Sequence, residues 1–457
     1  MISKATIRMN FENIKNIHFV GIGGIGMSGI AEILADRGFA VSGCDLKASV
    51  TTELLLRRGI RVTIGHDPAH LEGVDLVVVT SAVRGENAEV DAAPARRIPV
   101  VKRKEILGEI VKDKRAVGVS GTHGKTTTCA MIAVILEEAG LDPLIIIGGI
   151  LRNIGSNAKD GHGEMAIVEA DEYDRSFHAL HPAIAVVTNI EADHLEYFGS
   201  FDAIVEAFRV FVRGIRPGGA VVGCADDPTV AELLNQVDQR VIRYGLSETA
   251  DIRAANIGFD ERGSHFEVPG FGWFRLFVPG EHNVRNALGA IAVARELGIS
   301  ASVTATALAK FLGVDRRFQI LGKYAGALIV DDYAHHPTEI RATLTAARRG
   351  YPKRRIVALF QPHLYSRTRD FAREFGESLR VADVALVVPI YAARERPIEG
   401  ITSQLIADAV KGVEFLERNN EQIVEDLRRR LESNDLFITL GAGDVHEISE
   451  ALARASA

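Results

Sequence analysis

Cysteine, net positive charge and long apolar runs are all in short supply in this 457-residue chain, and each shortage excludes something. The three cysteines, Cys44, Cys129 and Cys224, lie far apart and show no C-x-x-C spacing. That spacing indicates neither a disulfide framework nor a zinc site, and a reducing cytoplasm is the expected compartment. Lys and Arg number 53 against 60 Asp and Glu, a net charge of -7. Such a balance argues against a nucleic-acid binder working through a general basic surface and favours small-molecule partners. No apolar run approaches the length that spans a bilayer, and residues 1–10 lack the basic-then-apolar order of a signal, so no membrane association is expected. What remains is the composition of a globular chain, 47% hydrophobic and 25% charged, long enough for about three domains.

Residues 117–128, Val-Gly-Val-Ser-Gly-Thr-His-Gly-Lys-Thr-Thr-Thr, organise the middle of the chain. A β-branched strand leads into a glycine turn and then a helix. Gly121 and Gly124 let backbone N–H groups point into one concavity, and a helix beginning near Lys125 adds the positive end of its dipole. Lys125 supplies a full charge, and Thr126 a hydroxyl that can reach a magnesium ion on phosphates. Val119 stands where the strict G-x-x-x-x-G-K-[ST] pattern has its first glycine, so this is a shorter variant of the loop. ATP and Mg2+ are the expected ligands.

Nearer the N-terminus a short strand runs into Gly21, Gly23 and Gly26 in G-x-G-x-x-G order, followed by a helix, a second strand and Asp45. Asp45 sits about where a dinucleotide-binding protein keeps its ribose acid, which raises a nicotinamide cofactor and hydride transfer. A nucleotide-sugar diphosphate would satisfy the same helix N-terminus equally well. Beyond the phosphate loop, a buried strand delivers acids at its C-terminal end. Glu169, nearest the apolar run, is expected near the magnesium, while Asp171, Glu172 and Asp174 read as a solvated acidic loop. The next strand ends in Asn189-Ile-Glu-Ala-Asp-His194, which assigns His194 to metal or phosphate. Residues 252–278 alternate as antiparallel strands on the sheet edge. Asn283 and Asn286, three apart on one helical face, can read an adenine edge or cap the helix.

Residues 315–318 mark a linker, and beyond it the strand–polar cluster–helix order begins again. His335, His336, His363, Arg367 and Arg369 are expected to gather at adjacent strand ends, a basic pocket suited to a carboxylate. The expected fold is therefore α/β in three domains: a Rossmann-like domain at 1–111, a P-loop ATPase-like domain at 112–317 and a second Rossmann-like domain at 318–457.

Gly121-Thr-His-Gly-Lys-Thr-Thr127, Glu169, the 189–194 segment, His282-Asn-Val-Arg-Asn286, Arg317 and Asp332-Tyr-Ala-His-His336 together resemble the ATP-dependent peptidoglycan-precursor amide ligases. The Gly-Ile-Gly-Gly-Ile-Gly-Met-Ser-Gly opening and Phe360-Gln-Pro-His-Leu-Tyr-Ser-Arg-Thr-Arg-Asp370 are similar to the branch that adds L-alanine to UDP-N-acetylmuramate. The resemblance implies that Gly21, Gly23, Gly24 and Gly26 hold the UDP portion, displacing the nicotinamide reading and leaving Asp45 without an assigned role. It implies a γ-phosphate held by Gly121, Thr122, Gly124, Lys125, Thr126 and Thr127. Thr126 and Glu169 would hold one magnesium and His194 a second. Asn283 and Asn286 would take adenine, Arg317 the phosphate, and Asp332 the ribose region. Tyr333, His335, His363 and Arg367 would receive L-alanine, and His123 would lie near the sugar or the acyl phosphate. Leu364 stands where the family often carries a second basic residue, which removes one arm of a two-arginine clamp. Residues 201–214 contain no lysine, which excludes the carbamylated lysine that several sister ligases carry there.

Overall fold

The computed structural model describes residues 13–80, 83, 86–393 and 395–455. Residues 1–10, whose sequence lacks a signal pattern, lie outside them. The short Val- and Ile-rich runs become strands buried between helices, as parallel sheets require. The first five are β1 (Asn16–Val20), β2 (Ala40–Asp45), β3 (Arg61–Ile64), β4 (Leu76–Val79) and β5 (Val100–Lys102). They form an all-parallel sheet in the order β3-β2-β1-β4-β5. The connections reverse direction beside β1, so the glycine turn that follows it opens into the crevice where such sheets take ligands.

The second sheet contains β6 (Arg115–Ser120), β7 (Leu144–Leu151), β8 (Ser156–Lys159), β9 (Met165–Glu169), β10 (Ile184–Val187), β11 (Ala220–Cys224), β12 (Arg240–Gly245) and β13 (Ile252–Arg253). Their order is β13-β12-β11-β10-β6-β9-β7-β8, with an antiparallel β7–β8 pair at one edge. Because β6 lies between β9 and β10, with Val119 opposite Glu169 and Ser120 opposite Val187, three strand ends meet at the start of the helix Lys125–Glu138. These two sheets share one hydrophobic core. The helix Ile25–Asp36 approaches β8 through Gly29, where a Cβ would lie 2.7 Å from the Asn157 amide nitrogen. Asn157 donates to the Ile25 carbonyl at 2.6 Å, and Arg37 forks the Asp160 carboxylate at 2.8 and 2.9 Å.

The chain divides into two compact units, one comprising residues up to Arg253 with Leu288–Thr304, the other Ala254–Ala287 with residues from Ala305 onward. In the second unit, β14 (Ala255–Asp260), β15 (Gly263–Val268) and β16 (Gly272–Leu276) make an antiparallel sheet of their own. This corrects the expectation of antiparallel strands on the sheet edge: β13 extends that edge but pairs parallel with β12, and the three strands after it pair antiparallel with one another. The cause is local, since tight connections close successive hairpins and bury Phe266, Val268, Phe274 and Leu276. Phe259 of this sheet lies 5.6 Å beneath the Arg349 guanidinium, and Tyr351 donates to the Glu261 carbonyl.

The last sheet holds β17 (Gln319–Tyr324), β18 (Ala327–Asp332), β19 (Arg355–Phe360), β20 (Val384–Val387), β21 (Val413–Phe415) and β22 (Asp435–Leu440), in the order β17-β18-β22-β19-β20-β21. The β17–β18 hairpin is antiparallel and the rest parallel. Apolar clusters cover both faces, one around Val330, Ile356 and Ile438, the other around Ile329, Leu359 and Phe437. Asp332, Leu440 and Phe360 end their strands in register, so the polar residues that follow leave the sheet at one level. No helix among the described residues is long and apolar enough to cross a membrane.

Candidate active site

The loop between β6 and the helix Lys125–Glu138 is shaped by glycine where nothing else fits. Gly121 has φ of +139°, and a Cβ there would meet the Thr188 hydroxyl at 2.0 Å; Gly124, at φ +81°, turns the chain into the helix. The segment after β10 then clamps the loop. Asn189 accepts from His123 N–H at 2.8 Å through its side chain and from Thr122 N–H at 3.0 Å through its carbonyl. Thr188 donates its hydroxyl to the His123 carbonyl at 2.6 Å, and Glu191 N–H donates to the Thr122 hydroxyl at 2.8 Å. The His123 ring stands 3.4 Å from the Glu191 carboxylate.

Thr126 and Glu169 meet as expected. The Thr126 hydroxyl donates to Glu169 at 2.8 Å, and Gly148 N–H donates to the same oxygen at 2.7 Å. A hydroxyl and a carboxylate at a helix N-terminus are hard oxygen donors, the set that fits Mg2+. Lys125 donates to the Gly121 and Thr122 carbonyls at 2.5 and 3.2 Å and to Glu172 at 2.9 Å. Burial opposes its charge, but the carboxylates of Glu172, Asp171 and Glu169 outweigh that and raise its pKa. Glu172 therefore corrects the reading of a solvated acidic loop: it is only 4% exposed, and burial raises its pKa against the pull of Lys125. Asp171 is exposed enough to match that reading, facing Arg103 at 3.3 Å. His194 takes φ of +55° just before the helix Leu195–Phe198, its ring edge-on to Tyr173 at 5.0 Å and 3.8 Å from Asp193.

At the first glycine turn, Gly21 and Ile22 N–H groups donate to the Cys44 carbonyl at 2.9 and 3.0 Å. Gly23 N–H and Leu46 N–H each donate to the Asp45 carboxylate at 2.8 Å. Asp45, without an assignment from sequence, is thus the group that braces the turn. Beside it opens a cavity of about 610 Å³ lined by Gly21, Gly23, Gly24, Asp45, Thr80 and Asn87 among others. Gly26 lies under Arg103, where a Cβ would approach the guanidinium to 2.6 Å.

In the second unit, Asn283 and Asn286 are buried on one face of the helix Glu281–Glu296, with Asn286 donating to Asn283 at 3.3 Å. Asn283 also donates to the Pro279 carbonyl at 2.7 Å, so it helps secure the helix start. Neighbouring His282 is half-buried, and desolvation of its ring, reinforced by Arg285 and Arg317, lowers its pKa to about 4. Asp332 accepts from Phe318 N–H at 2.7 Å and Ala334 N–H at 2.8 Å. Burial raises its pKa to about 6 despite the pull of Arg317. Arg317 reaches Glu339 at 3.8 Å.

Arg316, which carried no motif, pairs with Asp331 at 3.1 Å and donates to the Gly441 carbonyl at 2.7 Å. Both guanidinium groups lie near the Tyr333 ring, Arg316 at 5.0 Å and Arg317 at 5.3 Å. Rings of Tyr333, His335, His363 and Tyr391 then form a continuous series with centroid spacings of 5.3, 5.9 and 5.9 Å. Arg367 is half-buried on the first turn of the helix Tyr365–Leu379. The expected five-residue basic cluster is only partly assembled: His336 packs against Phe371 at 5.3 Å, and Arg369 is at the surface with Asp370. Leu364 is 8% exposed at φ +73°, an interior apolar contact where a second cation would be desolvated.

Three family models match the chain in succession: "Mur ligase family, catalytic domain" over residues 16–115, "Mur ligase middle domain" over 119–294, and "Mur ligase, glutamate ligase domain" over 316–443. The UDP-N-acetylmuramate--L-alanine ligase of Pelobacter propionicus is 46% identical, covering 97% of this chain and 98% of its own. That of Geobacter sulfurreducens is 45% identical, with 96% and 97% covered. Among solved structures, the UDP-N-acetylmuramate-alanine ligase of Thermotoga maritima superposes with a TM-score of 0.84 at 30% identity, covering 97% of this chain and 99% of that one. A murein peptide ligase of Psychrobacter arcticus gives 0.73 at 25% identity, with 96% and 98% covered.

Proposed function

This chain belongs to the Mur ligase family, and on that premise we propose that it joins L-alanine to the lactyl carboxylate of UDP-N-acetylmuramate with cleavage of ATP to ADP and phosphate. The observation that carries the reading is the convergence of Lys125, Thr126, Glu169 and Glu172 at the end of β6. A carboxylate oxygen of the sugar takes the γ-phosphoryl group, forming an acyl phosphate. The alanine amine then attacks the acyl carbon, the C–O bond to phosphate breaks, and the amine loses a proton as the amide forms.

In this scheme Lys125 neutralises the β- and γ-phosphates, and the N–H groups of the 121–127 loop and helix start orient them. Thr126 and Glu169 would hold one magnesium and His194 a second; when bound, the metal offsets charge on the migrating phosphoryl group. His123 lies toward the sugar or acyl phosphate. Asn283 and Asn286 take adenine, Arg317 a phosphate and Asp332 the ribose region. Tyr333, His335 and His363 receive L-alanine, with the single Arg367 on its carboxylate. Gly21, Gly23 and Gly24 face the UDP portion, and Gly26 lets the following helix lie close under Arg103. In this reading the functional domains are 1–111 for the UDP-sugar, 112–317 for ATP, and 318–457 for the amino acid and for closing over the nucleotide. A cytoplasmic setting suits three buried cysteines, none of them in a disulfide.

A sister activity that attaches a preformed peptide to the same sugar is the competing reading, disfavoured by residues 360–370. Phosphate release is measured with ATP, UDP-N-acetylmuramate and either single amino acids or a tripeptide. Turnover with L-alanine is expected; turnover with the tripeptide alone would overturn the assignment.

A further inference from the structure

The cysteine spacing gives no hint of a metal site, yet folding surrounds Cys44 with three histidines and a glutamate from separate elements of the first sheet's domain. His18 comes from β1, Cys44 from β2, His66 from the turn after β3, His70 from the 3-10 turn Pro68–Leu71, and Glu89 from the helix Ala88–Ala92. Glu89 is fully buried. Its oxygens lie 2.6 Å from His70 Nδ1, 2.7 Å from His66 Nδ1 and 3.1 Å from Cys44 Sγ. His18 Nε2, 3.6 Å from the same carboxylate, is buried without a hydrogen-bond partner. Its other ring nitrogen is fixed by the Ser42 hydroxyl at 2.9 Å, which aims Nε2 into the cluster.

We propose that His18, Cys44, His70 and Glu89 form a binding site for a divalent transition-metal ion of the zinc class, with His66 beside it as an alternate ligand. One donor atom from each of the four lies within 4.8 Å of every other. Tetrahedral zinc with bonds of about 2.0–2.3 Å needs donors roughly 3.3–3.7 Å apart, so small side-chain adjustments close the shell. Imidazole and thiolate donors select zinc or cobalt over magnesium, which separates this site from the oxygen pair Thr126 and Glu169. Ser42 supplies the outer hydrogen bond that orients a histidine ligand. A cavity of about 350 Å³, lined by His18, Ser42 and His70, opens onto the cluster and offers a way in. The site also touches the glycine turn, because the Cys44 carbonyl holds Gly21 and Ile22.

The test uses the full chain, stripped with a chelator and titrated with Co2+ alone and then Zn2+ alone. One equivalent of Co2+ with a thiolate-to-cobalt absorption band, displaced by Zn2+, is expected. Cys44→Ser should abolish the band, and Ser42→Ala should weaken binding by about tenfold or more, with folding checked by circular dichroism. His70→Gln, on the partly exposed turn, keeps the test informative if Cys44→Ser misfolds, and should also weaken binding. Absence of stoichiometric metal, or equal binding in wild type, Cys44→Ser and His70→Gln, would overturn the site.

Discussion

The turn at residues 21–26 and the loop at residues 121–125 both follow a strand at the reversal point of a parallel sheet, and both enter a helix. At the first, an acid from the neighbouring strand, Asp45, accepts the Gly23 N–H. At the second, a lysine from the loop itself lies against its carbonyls and two acids from β9 and beyond stand around it. The two turns differ in backbone, Gly24 being extended and Gly124 left-handed where the helix begins, and in charge, since only the second carries a lysine. Under the proposed function, the residues at the ends of adjacent strands are what distinguish a turn that takes a transferring phosphoryl group from one that takes a passive diphosphate.

The sharpest way to separate the two loops is Lys125→Ala. Loss of the only lysine in the phosphate loop should reduce kcat by roughly 10³-fold, about 4 kcal/mol in the barrier, with the fold intact by circular dichroism. Near-normal phosphate release would mean that the two loops differ only in shape. A smaller loss, about 10- to 100-fold in kcat, is expected for Glu172→Gln, which keeps the volume but removes the buried charge that positions Lys125. An unchanged rate in that variant would return Glu172 to the passive role its sequence context suggests. The smallest effect belongs to the other turn: Asp45→Asn should raise KM for UDP-N-acetylmuramate by about tenfold or less while leaving KM for ATP unaltered. A shift in the ATP constant instead would break the assignment of separate substrates to the two turns.

Much of the candidate site was legible because it depends on local pattern. A β-branched strand, two glycines, Lys and Thr are enough to announce a strand–turn–helix with Lys125 at the helix start, and the pairing of Thr126 with Glu169 followed from placing an acid at a buried strand's end. Glu172 was not legible, since three acids in four residues look like a solvated run and only the packing around β9 removes one of them from water. Arg316 was likewise invisible: its partners Asp331 and Gly441 are far away along the chain, and β18 and β22 must pair before it can bridge them. Cys44 with His18, His70 and Glu89 is the extreme case, donors spread across 72 positions (18 to 89) with no recognisable spacing.

By itself, then, the sequence determined the α/β class, the succession of strand-end polar clusters and the strand–glycine turn–helix order around Lys125, because hydrophobic period and turn chemistry act over a few residues. Only the tertiary structure decided which acids are buried, that residues 255–276 form a sheet of their own, and which of the C-terminal histidines and arginines face one another. Those outcomes depend on which strands become neighbours, and the free energy of burying a charge is set by everything packed around it rather than by the residues beside it in the chain.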